Sequence, residues 1–372
     1  MNPVLTELAQ YPFARLDDWK AEATARGIEL IDFGMGDPRE VTPAFIREAL
    51  VASIDPVSSY PRATGLPELR TAIAGWIERR FGVAVGTDEI VPTLGSKEAI
   101  FSFAQVAVGE KRTIAIPEPA YPVYERGALF AGGSVARVPL SERNGWLPDL
   151  DAFTAWDEIA LFWVCYPNNP TGAVAPLSFY EELAARAREH GFLVCSDEAY
   201  SELWFDEPPM SALQVADRSN VIVFNTLSKR SSMTGYRSGF VCAPVEIADA
   251  LRSFRPTVGT APQEFVQRAS IAAWSDEAHV DAVRALYRRK RDTVLPAFED
   301  AGLRLAGSDA TFYLWLDCGG PSIDFARNLL EHGVVVAPGA FFGDAGEGYV
   351  RVALVPTQEQ CERAAAIVRS VL

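Results

Sequence analysis

The sequence is poor in the residues that metal-dependent and histidine-dependent enzymes use. Among 372 residues there are only three histidines, His190, His279 and His332, and each stands alone among helix-forming residues. Neither a Cys-x-x-Cys pair nor a His-Glu-x-x-His sequence occurs. Protein metal sites usually draw their ligands from such closely spaced sets. We therefore expect neither a metal site nor histidine-based catalysis.

Cysteines and long apolar runs are also scarce. The five cysteines, at positions 165, 195, 242, 318 and 361, are odd in number and lie mostly inside apolar runs. This pattern predicts reduced thiols in the core. No apolar run approaches the length of a membrane span, and the first twenty residues lack the charged-then-apolar pattern of a secretory signal. We expect a cytoplasmic protein.

Positive charge is in deficit, with 34 basic and 49 acidic side chains and a formal net charge of −15. Such a surface repels the phosphates of nucleic acids and the headgroups of anionic membranes. We therefore expect neither as a partner. The deficit also argues against a sensor domain of a transcription regulator, which would carry a fused basic DNA-binding segment.

Apolar residues are plentiful, at 49% of the chain, and they follow two patterns. Between about residues 66 and 250, helix-period segments alternate with short apolar runs. These runs are DEIVPTL, RTIAIPEP, EIALFWVCYP, GFLVCSDEAY, NVIVFNTLS and SGFVCAP. The alternation predicts an α/β fold, with a mostly parallel sheet covered by helices on both faces. One covering helix, SFYEELAARAREHG, should stop at Gly191.

The last third of the chain has a different pattern. A long charged helix around DEAHVDAVRALYRRKRDTVLPAFEDAG precedes the short strands TFYLWLDC, HGVVVAPG and GYVRVALV. This order predicts a smaller α+β domain, as the chain exceeds the usual size of a single core. We predict an N-terminal segment over residues 1–44 that packs with the small domain, a large domain over 45–265 and a small domain over 266–372. The cleft between the lobes is the expected place for chemistry.

One lysine stands out from the others. The chain has five, and four lie in polar contexts, namely Lys20, Lys97, Lys111 and Lys290. Lys229 instead follows NVIVFNTLS, at the carboxyl end of a predicted buried strand, where open α/β sheets bind ligands. Partial desolvation there would lower its pKa and free the amine for reaction with a carbonyl. From this fragment alone, a surface loop lysine is an equally good interpretation.

Asp197 ends another apolar run, GFLVCSDEAY, and should lie at the same edge of the sheet. A buried carboxylate needs a partner, and the ring nitrogen of pyridoxal phosphate is such a partner. The alternative is that Asp197 caps a following helix. Tyr200, three residues further on, could reach the phenolate oxygen of the same ligand.

The segment TLGSKEA places Gly95, Ser96 and Lys97 at the start of an apolar helix. Free amides and the helix dipole at such a start suit a phosphate, although an ordinary capped helix start explains this motif alone better. Arg237, eight residues after Lys229, adds a positive charge for the same phosphate. Gly34 and Gly36 do not begin a dinucleotide fingerprint, because proline and arginine follow where the third glycine belongs.

Seven segments taken in order resemble the class I/II aminotransferases of fold type I, which use pyridoxal 5′-phosphate. They are YPRATGLPELR, TLGSKEA, EPAYPVY, YPNNPTG, SDEAY, TLSKRSSMTGYRSG and YVRVAL, and they span nearly the whole chain. The resemblance implies that Lys229 binds the cofactor aldehyde covalently and moves a proton at the substrate α-carbon. It also implies that Asp197 holds the ring nitrogen.

The same resemblance implies roles for further residues. Tyr121 would stack on the ring, while Asn169 and Tyr200 would bond its 3′ oxygen. The remaining cofactor contacts, chiefly to the phosphate, would come from Gly95, Ser96, Lys97, Thr226, Ser228 and Arg237. Tyr60 would serve the phosphate of a neighbouring subunit, which implies a homodimer with composite active sites. Arg351, with Asn169 and the backbone of Gly36, would hold the substrate.

Within this family the chain most resembles the bacterial N-succinyldiaminopimelate aminotransferases, through MNPVLTELAQYPFARL, LSKRSSMTGYRSGFV and ASIAAWSDEAHVDAVRALYRRK. That likeness implies N-succinyl-2-amino-6-ketopimelate as acceptor and glutamate as donor, in lysine and diaminopimelate biosynthesis. A general aspartate, alanine or aromatic aminotransferase is the alternative, and a carbon–sulfur lyase with the same cofactor is a third. Arg15, Arg62 and Arg255 are candidates for the distal carboxylates, each also explained as an ordinary surface or interface arginine.

Overall fold

The chain folds around a seven-stranded and a four-stranded sheet, and the computed structural model describes residues 2–8, 11–57 and 59–372. Met1, Ala9 and Gln10 of the opening segment lie outside the described residues. Within the described ranges, no helix combines the length and the apolar character that crossing a membrane requires.

The strands are short. The described residues form β1 (Ile31–Asp32), β2 (Ile90–Thr93), β3 (Thr113–Glu118), β4 (Ser134–Pro139), β5 (Ile159–Cys165), β6 (Leu193–Asp197), β7 (Val221–Thr226), β8 (Gly239–Cys242), β9 (Arg304–Gly307), β10 (Tyr313–Asp317), β11 (Val334–Val335), β12 (Ala337–Pro338) and β13 (Tyr349–Ala353).

Helices occupy most of the intervening segments. They are α1 (Pro3–Glu7), α2 (Pro12–Ala25), α3 (Ala44–Ala52), α4 (Pro67–Phe81), α5 (Gly95–Ala107), α6 (Val123–Phe130), α7 (Leu177–His190), α8 (Leu227–Arg230), α9 (Val245–Phe254), α10 (Glu264–Trp274), α11 (Ala278–Asp300), α12 (Ser322–Glu331) and α13 (Gln358–Val371). Helix α7 ends as predicted, because Gly191 takes the left-handed conformation at φ 66°.

The large sheet has the order β2-β8-β7-β6-β5-β3-β4. Strand β8 is antiparallel to both of its neighbours, and the other adjacent pairs are parallel. Every residue of β5 and β7 is buried, as expected of strands covered on both faces. The predicted α/β class with a mostly parallel sheet is confirmed, and the six predicted strand runs are all present.

The small sheet is antiparallel, with the order β12-β13-β10-β9. Strand β1 pairs in parallel with β11, so residues near the start of the chain join residues 334–335. The smaller α+β unit of the predicted fold is therefore present. The domain boundaries at 44 and 265 stay a prediction.

Parallel strands bring several chain segments to one edge of the large sheet. Strand β6 ends at Asp197, and β7 leads directly into α8, which carries Lys229. Strand β2 leads into α5 after a single intervening residue. Because the carboxyl ends of parallel strands meet at the same edge, these termini surround one crevice.

Candidate active site

A cavity of about 580 Å³ lies at this edge of the large sheet. The predicted site residues that line it are Gly36, Ser96, Lys97, Tyr121, Asn169, Asp197, Tyr200, Thr226, Ser228, Lys229, Arg237 and Arg351. It is also lined by residues that the sequence did not single out, including Tyr11, Asp37 and Tyr313. The structure thus brings together segments spread over more than 300 positions of the chain.

Lys229 reaches into the cavity from the one-turn helix α8. Its Nζ atom donates a hydrogen bond to the carbonyl oxygen of Gly36, at 2.6 Å. Burial lowers the pKa of Lys229 to about 8, partly offset by the negative charge of Asp37. The neutral amine is therefore far more accessible near neutral pH than it is for an ordinary lysine. This state is the one that attacks carbonyl carbons.

Asp197 is buried, with 4% of its surface exposed. Its Oδ2 accepts a hydrogen bond from the hydroxyl of Tyr124 at 2.8 Å, and its Oδ1 accepts one from the backbone N–H of Ala199 at 3.2 Å. Burial raises the pKa of Asp197 to about 6. No cation pairs with it within 4 Å among the described residues. The alternative that Asp197 caps a helix is wrong, since no helix begins there.

Tyr124 is a site residue that the sequence did not reveal. It lies in the first turn of α6, and its ring stacks on Trp163 with centroids 5.0 Å apart. The ring contact and the hydrogen bond to Asp197 hold the carboxylate in place. In the sequence, nothing distinguishes Tyr124 from the neighbouring tyrosine of EPAYPVY.

Arg351 is a buried cation without an acidic partner. Only 2% of it is exposed, and it forms no ion pair within the described part of the chain. Its guanidinium donates to Oδ1 of Asn169 at 2.8 Å and to the carbonyl oxygen of Gly34 at 2.7 Å, while Nε has no hydrogen-bond partner among the residues that the structure describes. A buried charge is stable only with a counter-charge. The arrangement therefore suits a carboxylate ligand.

The start of α5 forms an anion-binding corner. Its N-cap, Leu94, provides no side-chain cap, so the amide hydrogens of the first turn lack the side-chain acceptor that usually caps a helix. A Cβ atom on Gly239 would lie 3.0 Å from the amide nitrogen of Ser96, so only glycine lets β8 approach this closely. Arg237 donates to the carbonyl oxygen of Leu94 at 3.2 Å. Free amides beside a guanidinium suit a phosphate.

Polar side chains continue this corner along the end of β7. The hydroxyl oxygens of Thr226 and Ser228 lie 2.9 Å apart, and both side chains line the cavity. Gly95 begins α5 at φ 75°, and a Cβ atom there would lie 2.6 Å from Nη2 of Arg237. Gly95 therefore belongs to the corner although it does not line the cavity.

Lys97 also faces the cavity. Its Nζ atom lies 5.7 Å from the ring centroids of both Tyr11 and Tyr121. Burial lowers the pKa of Lys97, and the charge of Arg237 adds to the effect. Lys97 thus lines the cavity, as predicted from the TLGSKEA segment, although its sequence context is polar.

Lys290 corrects the grouping of lysines made from the sequence. It lies in a polar context of the chain, yet it is fully buried on α11 and pairs with the carboxylate of Glu40. The partner is 250 positions away. Local composition could not reveal a pair formed over that separation.

Tyr200 and Tyr313 meet across the cavity wall. Their hydroxyl oxygens lie 2.8 Å apart, and both side chains are buried. A Cβ atom on Gly36 would lie 2.1 Å from the hydroxyl oxygen of Tyr313. Glycine at position 36 is therefore required by the close approach of a tyrosine from the small sheet.

Besides Gly95, four predicted residues do not line the cavity. Tyr60 is fully exposed, and Arg62 is also outside the lining. Arg15 lies over the rings of Trp19 and Phe341. Arg255 is buried and pairs with Glu98 at 2.8 Å, so it is not a surface arginine.

Comparison with known proteins agrees with this geometry. The family model "Aminotransferase class I and II" matches residues 28–368. The chain belongs to this family. It is 39% identical over 373 residues to LL-diaminopimelate aminotransferase of Nitratidesulfovibrio vulgaris, covering 97% of this chain and 96% of that protein.

Two solved structures extend the comparison. An aminotransferase from Neisseria meningitidis superposes with a TM-score of 0.91 at 39% identity, with full coverage of both chains. A probable N-succinyldiaminopimelate aminotransferase from Thermus thermophilus gives a TM-score of 0.90 at 30% identity, covering 97% of this chain and all of that one. The predicted family and fold type are confirmed.

This aminotransferase uses pyridoxal 5′-phosphate, the cofactor of its family. When bound, the cofactor supplies an aldehyde that carries the amino group and a pyridinium ring that withdraws electrons from the reacting carbon. The residues present fit it. A buried carboxylate without a counter-charge, a lysine with a lowered pKa and an uncapped helix start match its ring nitrogen, aldehyde and phosphate.

Proposed function

We propose that this aminotransferase exchanges the amino group of one end of LL-diaminopimelate with the glutamate and 2-oxoglutarate pair. The observation that carries the proposal is Asp37, an exposed carboxylate that lines the cavity. Among the charged groups that act on Lys229, Asp37 has the largest effect, and its negative charge raises the pKa of the lysine. Neither the cofactor phosphate nor a substrate α-carboxylate would be stabilised by an acidic group at this place, because both are negatively charged. An ammonium group at the distal end of a substrate would be stabilised by it.

The chemistry of the two candidate substrates differs at this point. LL-diaminopimelate carries an ammonium and a carboxylate at its distal end. The N-succinylated form replaces the ammonium with an amide and a further carboxylate, which Asp37 would repel. The names of the relatives support the free diamino acid, whereas the Thermus structure supports the succinylated substrate predicted from the sequence. The succinylated substrate is therefore the second candidate.

In the proposed mechanism Lys229 acts twice. With the cofactor bound, its amine would hold the cofactor aldehyde. Once an amino acid takes that place, the freed amine would move a proton from the substrate α-carbon to the former aldehyde carbon of the cofactor. A pKa of about 8 suits both tasks near neutral pH. The carbonyl oxygen of Gly36 orients the amine before the substrate arrives.

The other predicted site residues would bind and orient the cofactor and the substrate. Asp197, held in place by Tyr124, would keep the ring nitrogen protonated. Tyr121 would cover the ring face, and Asn169 and Tyr200 would bond the 3′ oxygen. The phosphate would be held by Gly95, Ser96, Lys97, Thr226, Ser228 and Arg237. Arg351, aided by Asn169 and the backbone near Gly36, binds the α-carboxylate of the substrate through charge-assisted hydrogen bonds.

A homodimer completes the proposal. Tyr60 is fully exposed, and Val41, Val51, Ile54 and Val57 nearby in the chain are exposed as well. Clustered exposed apolar side chains indicate an interaction surface, and Tyr60 would reach the phosphate of the second copy. Sedimentation should give the mass of a dimer. Tyr60→Phe should weaken the binding of the cofactor while the protein stays dimeric. Location in the cytoplasm stays a prediction, to be tested by cell fractionation.

A steady-state assay tests the substrate. Purified protein would be given 2-oxoglutarate with LL-diaminopimelate, N-succinyl-LL-diaminopimelate, aspartate, alanine or phenylalanine, and glutamate would be measured. We expect LL-diaminopimelate to give the highest kcat/KM, by about 10-fold or more if the Asp37 contact is made. A higher value for the succinylated compound would support the second candidate. Preference for aspartate, alanine or phenylalanine would indicate a general aminotransferase, and pyruvate release from cystathionine would indicate a lyase.

A matched pair of variants isolates Asp37. Asp37→Asn should lower kcat/KM for LL-diaminopimelate more than that for aspartate, because the effect on the pKa of Lys229 is common to both substrates and only the first has a distal ammonium group. Asp149→Asn changes an exposed carboxylate outside the cavity and should affect neither substrate. Equal losses on both substrates for Asp37→Asn would contradict the proposed contact.

A further inference from the structure

A chain of hydrogen bonds begins two residues after Lys229. The hydroxyl oxygen of Ser231 lies 2.8 Å from Nε2 of His279, and Nδ1 of His279 lies 2.6 Å from Oδ1 of Asp276. The backbone N–H of His279 donates to the same carboxylate oxygen at 3.0 Å. Ser231 is fully buried and His279 nearly so. The three side chains thus form a hydrogen-bonded relay next to residues 229–231, which we call the lysine turn.

The order Ser-His-Asp is that of serine hydrolases, but the setting excludes hydrolysis. A nucleophilic serine must meet its substrate, and none of the surface of Ser231 is exposed. His279 therefore does not activate Ser231 as a nucleophile. The relay instead holds parts of the chain together.

The contacts of His279 fix its tautomer. An ionised Asp276 can only accept, so the hydrogen lies on Nδ1. Nε2 then accepts from the hydroxyl of Ser231, and a guanidinium nitrogen of Arg230, which can only donate, lies 3.4 Å away. Burial lowers the pKa of His279, which favours the neutral ring. Asp276, Glu277 and Arg230 are the charged groups that act on it.

Arg230 ties the same turn to the same segment. Its guanidinium donates to the carbonyl oxygen of Ala273 at 2.6 Å and to Oε2 of Glu277 at 2.8 Å. Both residues that follow Lys229 are therefore anchored to residues 273–279. Lys229 itself forms no bond to that segment, and its direction follows from the anchored neighbours.

His279 also packs against the segment that carries Gly36. The rings of Phe45 and His279 pack edge to face with centroids 5.5 Å apart. Nearby, the hydroxyl of Thr42 donates to the carbonyl oxygen of Ser232 at 2.6 Å. His279 thus lies between the lysine turn and residues 36–45, which supply the carbonyl acceptor for the lysine amine.

We propose that His279 is a positioning residue for Lys229. Its neutral imidazole accepts a hydrogen bond from the hydroxyl of Ser231 and packs on Phe45. These two contacts keep the lysine amine within hydrogen-bond distance of the carbonyl oxygen of Gly36. Loss of the relay lets the turn relax and displaces the amine from the position that proton transfer requires. The proposal concerns the transamination step itself and does not depend on which amino acid is the substrate.

Four variants test this role. Ser231→Ala removes the donor without altering α11, and His279→Leu removes the acceptor. His279→Gln is the conservative variant, since its side-chain oxygen can accept from Ser231 as Nε2 does. His190→Leu is the control, because His190 forms a comparable 2.8 Å contact with Asp157 away from the cavity.

Three properties are measured for each protein. The first is the pH midpoint of the visible absorbance change of the cofactor-loaded protein, and the second is kcat and KM. The third is the pH dependence with which Lys229 of the apoprotein reacts with an amine reagent, located by peptide mass mapping. This third measurement reports on Lys229 without the cofactor.

We expect Ser231→Ala and His279→Leu to shift both pH midpoints and to lower kcat by about 10-fold or more, since misplaced reacting groups cost up to about 10²-fold. KM should change little, and His279→Gln and His190→Leu should behave as wild type. The proposal is overturned if Ser231→Ala loses thermal stability alone, with midpoints and kcat unchanged. Because Ser231→Ala preserves α11, the test stands even if His279→Leu does not fold.

Discussion

The Nζ atom of Lys229 lies 2.6 Å from the carbonyl oxygen of Gly36, a residue 193 positions earlier in the chain. Gly36 in turn packs against the hydroxyl of Tyr313, which comes from the small sheet. The lysine amine therefore marks the point where the large sheet, the small sheet and the segment after β1 meet. A displacement of any of these three parts would therefore change the position of the amine.

Gly36→Ala tests the tightness of this contact. The new methyl would lie 2.1 Å from the hydroxyl oxygen of Tyr313, so the segment or the tyrosine must move. We expect kcat/KM to fall by about 10²-fold, the cost of a misplaced reacting group. Adding Tyr313→Phe should recover part of this loss, because the ring carbons would remain at 3.1 and 3.2 Å.

Gly320→Ala is the control for that substitution, since a Cβ atom there meets nothing within 4 Å. It should retain wild-type kinetics. Wild-type kcat/KM in the Gly36→Ala protein would show that the Gly36 segment adjusts freely, contrary to the role given to it.

The lowered pKa of Lys229 makes a prediction about apoprotein stability. Between pH 8 and 10.5 the unfolded state binds more protons at this residue than the folded state, so stability rises with pH across that window. Lys229→Met removes this dependence. Relative to its value at pH 10.5, the stability advantage of the variant over wild-type apoprotein should be larger below pH 8 by about 3 kcal/mol.

Urea unfolding of both apoproteins from pH 7 to 10.5 measures this difference. Other titrating groups are common to the two proteins and cancel. A difference in the free energy of unfolding that does not change with pH would mean that Lys229 has an ordinary pKa in the folded protein.

Two strand ends revealed the chemistry from the sequence alone. Lys229 and Asp197 follow long apolar runs, and burial on both faces of the sheet made those runs easy to recognise. The sequence missed β4, a strand at the sheet edge whose residues are mostly exposed or half-buried. An edge strand lacks the continuous apolar run that identifies an inner strand.

The remaining site residues depend on tertiary contacts that local patterns do not encode. Tyr313 bonds Tyr200 from 113 positions away. Similarly, His279 looked isolated in the sequence, yet it bonds Ser231 from 48 positions away. Residues that act through such distant partners require the folded structure for their recognition.

Asp197→Asn tests the proposed hold on the ring nitrogen. The amide cannot supply the negative charge that keeps this nitrogen protonated, while the phosphate corner is untouched. We expect the cofactor to remain bound and kcat to fall by about 10²- to 10³-fold, the usual cost of losing a preorganised charge partner. Absorbance of the loaded protein and kcat are the measurements.

The neighbouring Glu198→Gln is the matched control. Glu198 is also buried, burial raises its pKa to about 7, and it does not line the cavity. Glutamine resembles its protonated form, so kcat should stay within about 2-fold of wild type. Equal losses in both variants would indicate a general effect of burial rather than a role of Asp197 in the cofactor site.

Arg351→Gln removes the proposed carboxylate partner. We expect a loss in kcat/KM equivalent to about 2–5 kcal/mol, the range for truncating a buried charge pair. Most of it should appear as a higher KM for every amino acid substrate. Exposed Arg289 provides a control, and Arg289→Gln should keep the wild-type value. A change below about 2-fold in Arg351→Gln would mean that another group binds the carboxylate.

Attachment of the cofactor to Lys229 is the central claim, and borohydride reduction followed by peptide mass mapping tests it most directly. Protein loaded with pyridoxal phosphate would be reduced, digested and searched at each of its five lysines. The predicted result is one modified peptide, carrying the cofactor on Lys229. Modification of Lys97 or Lys290 instead, or no modification at all, would contradict the account.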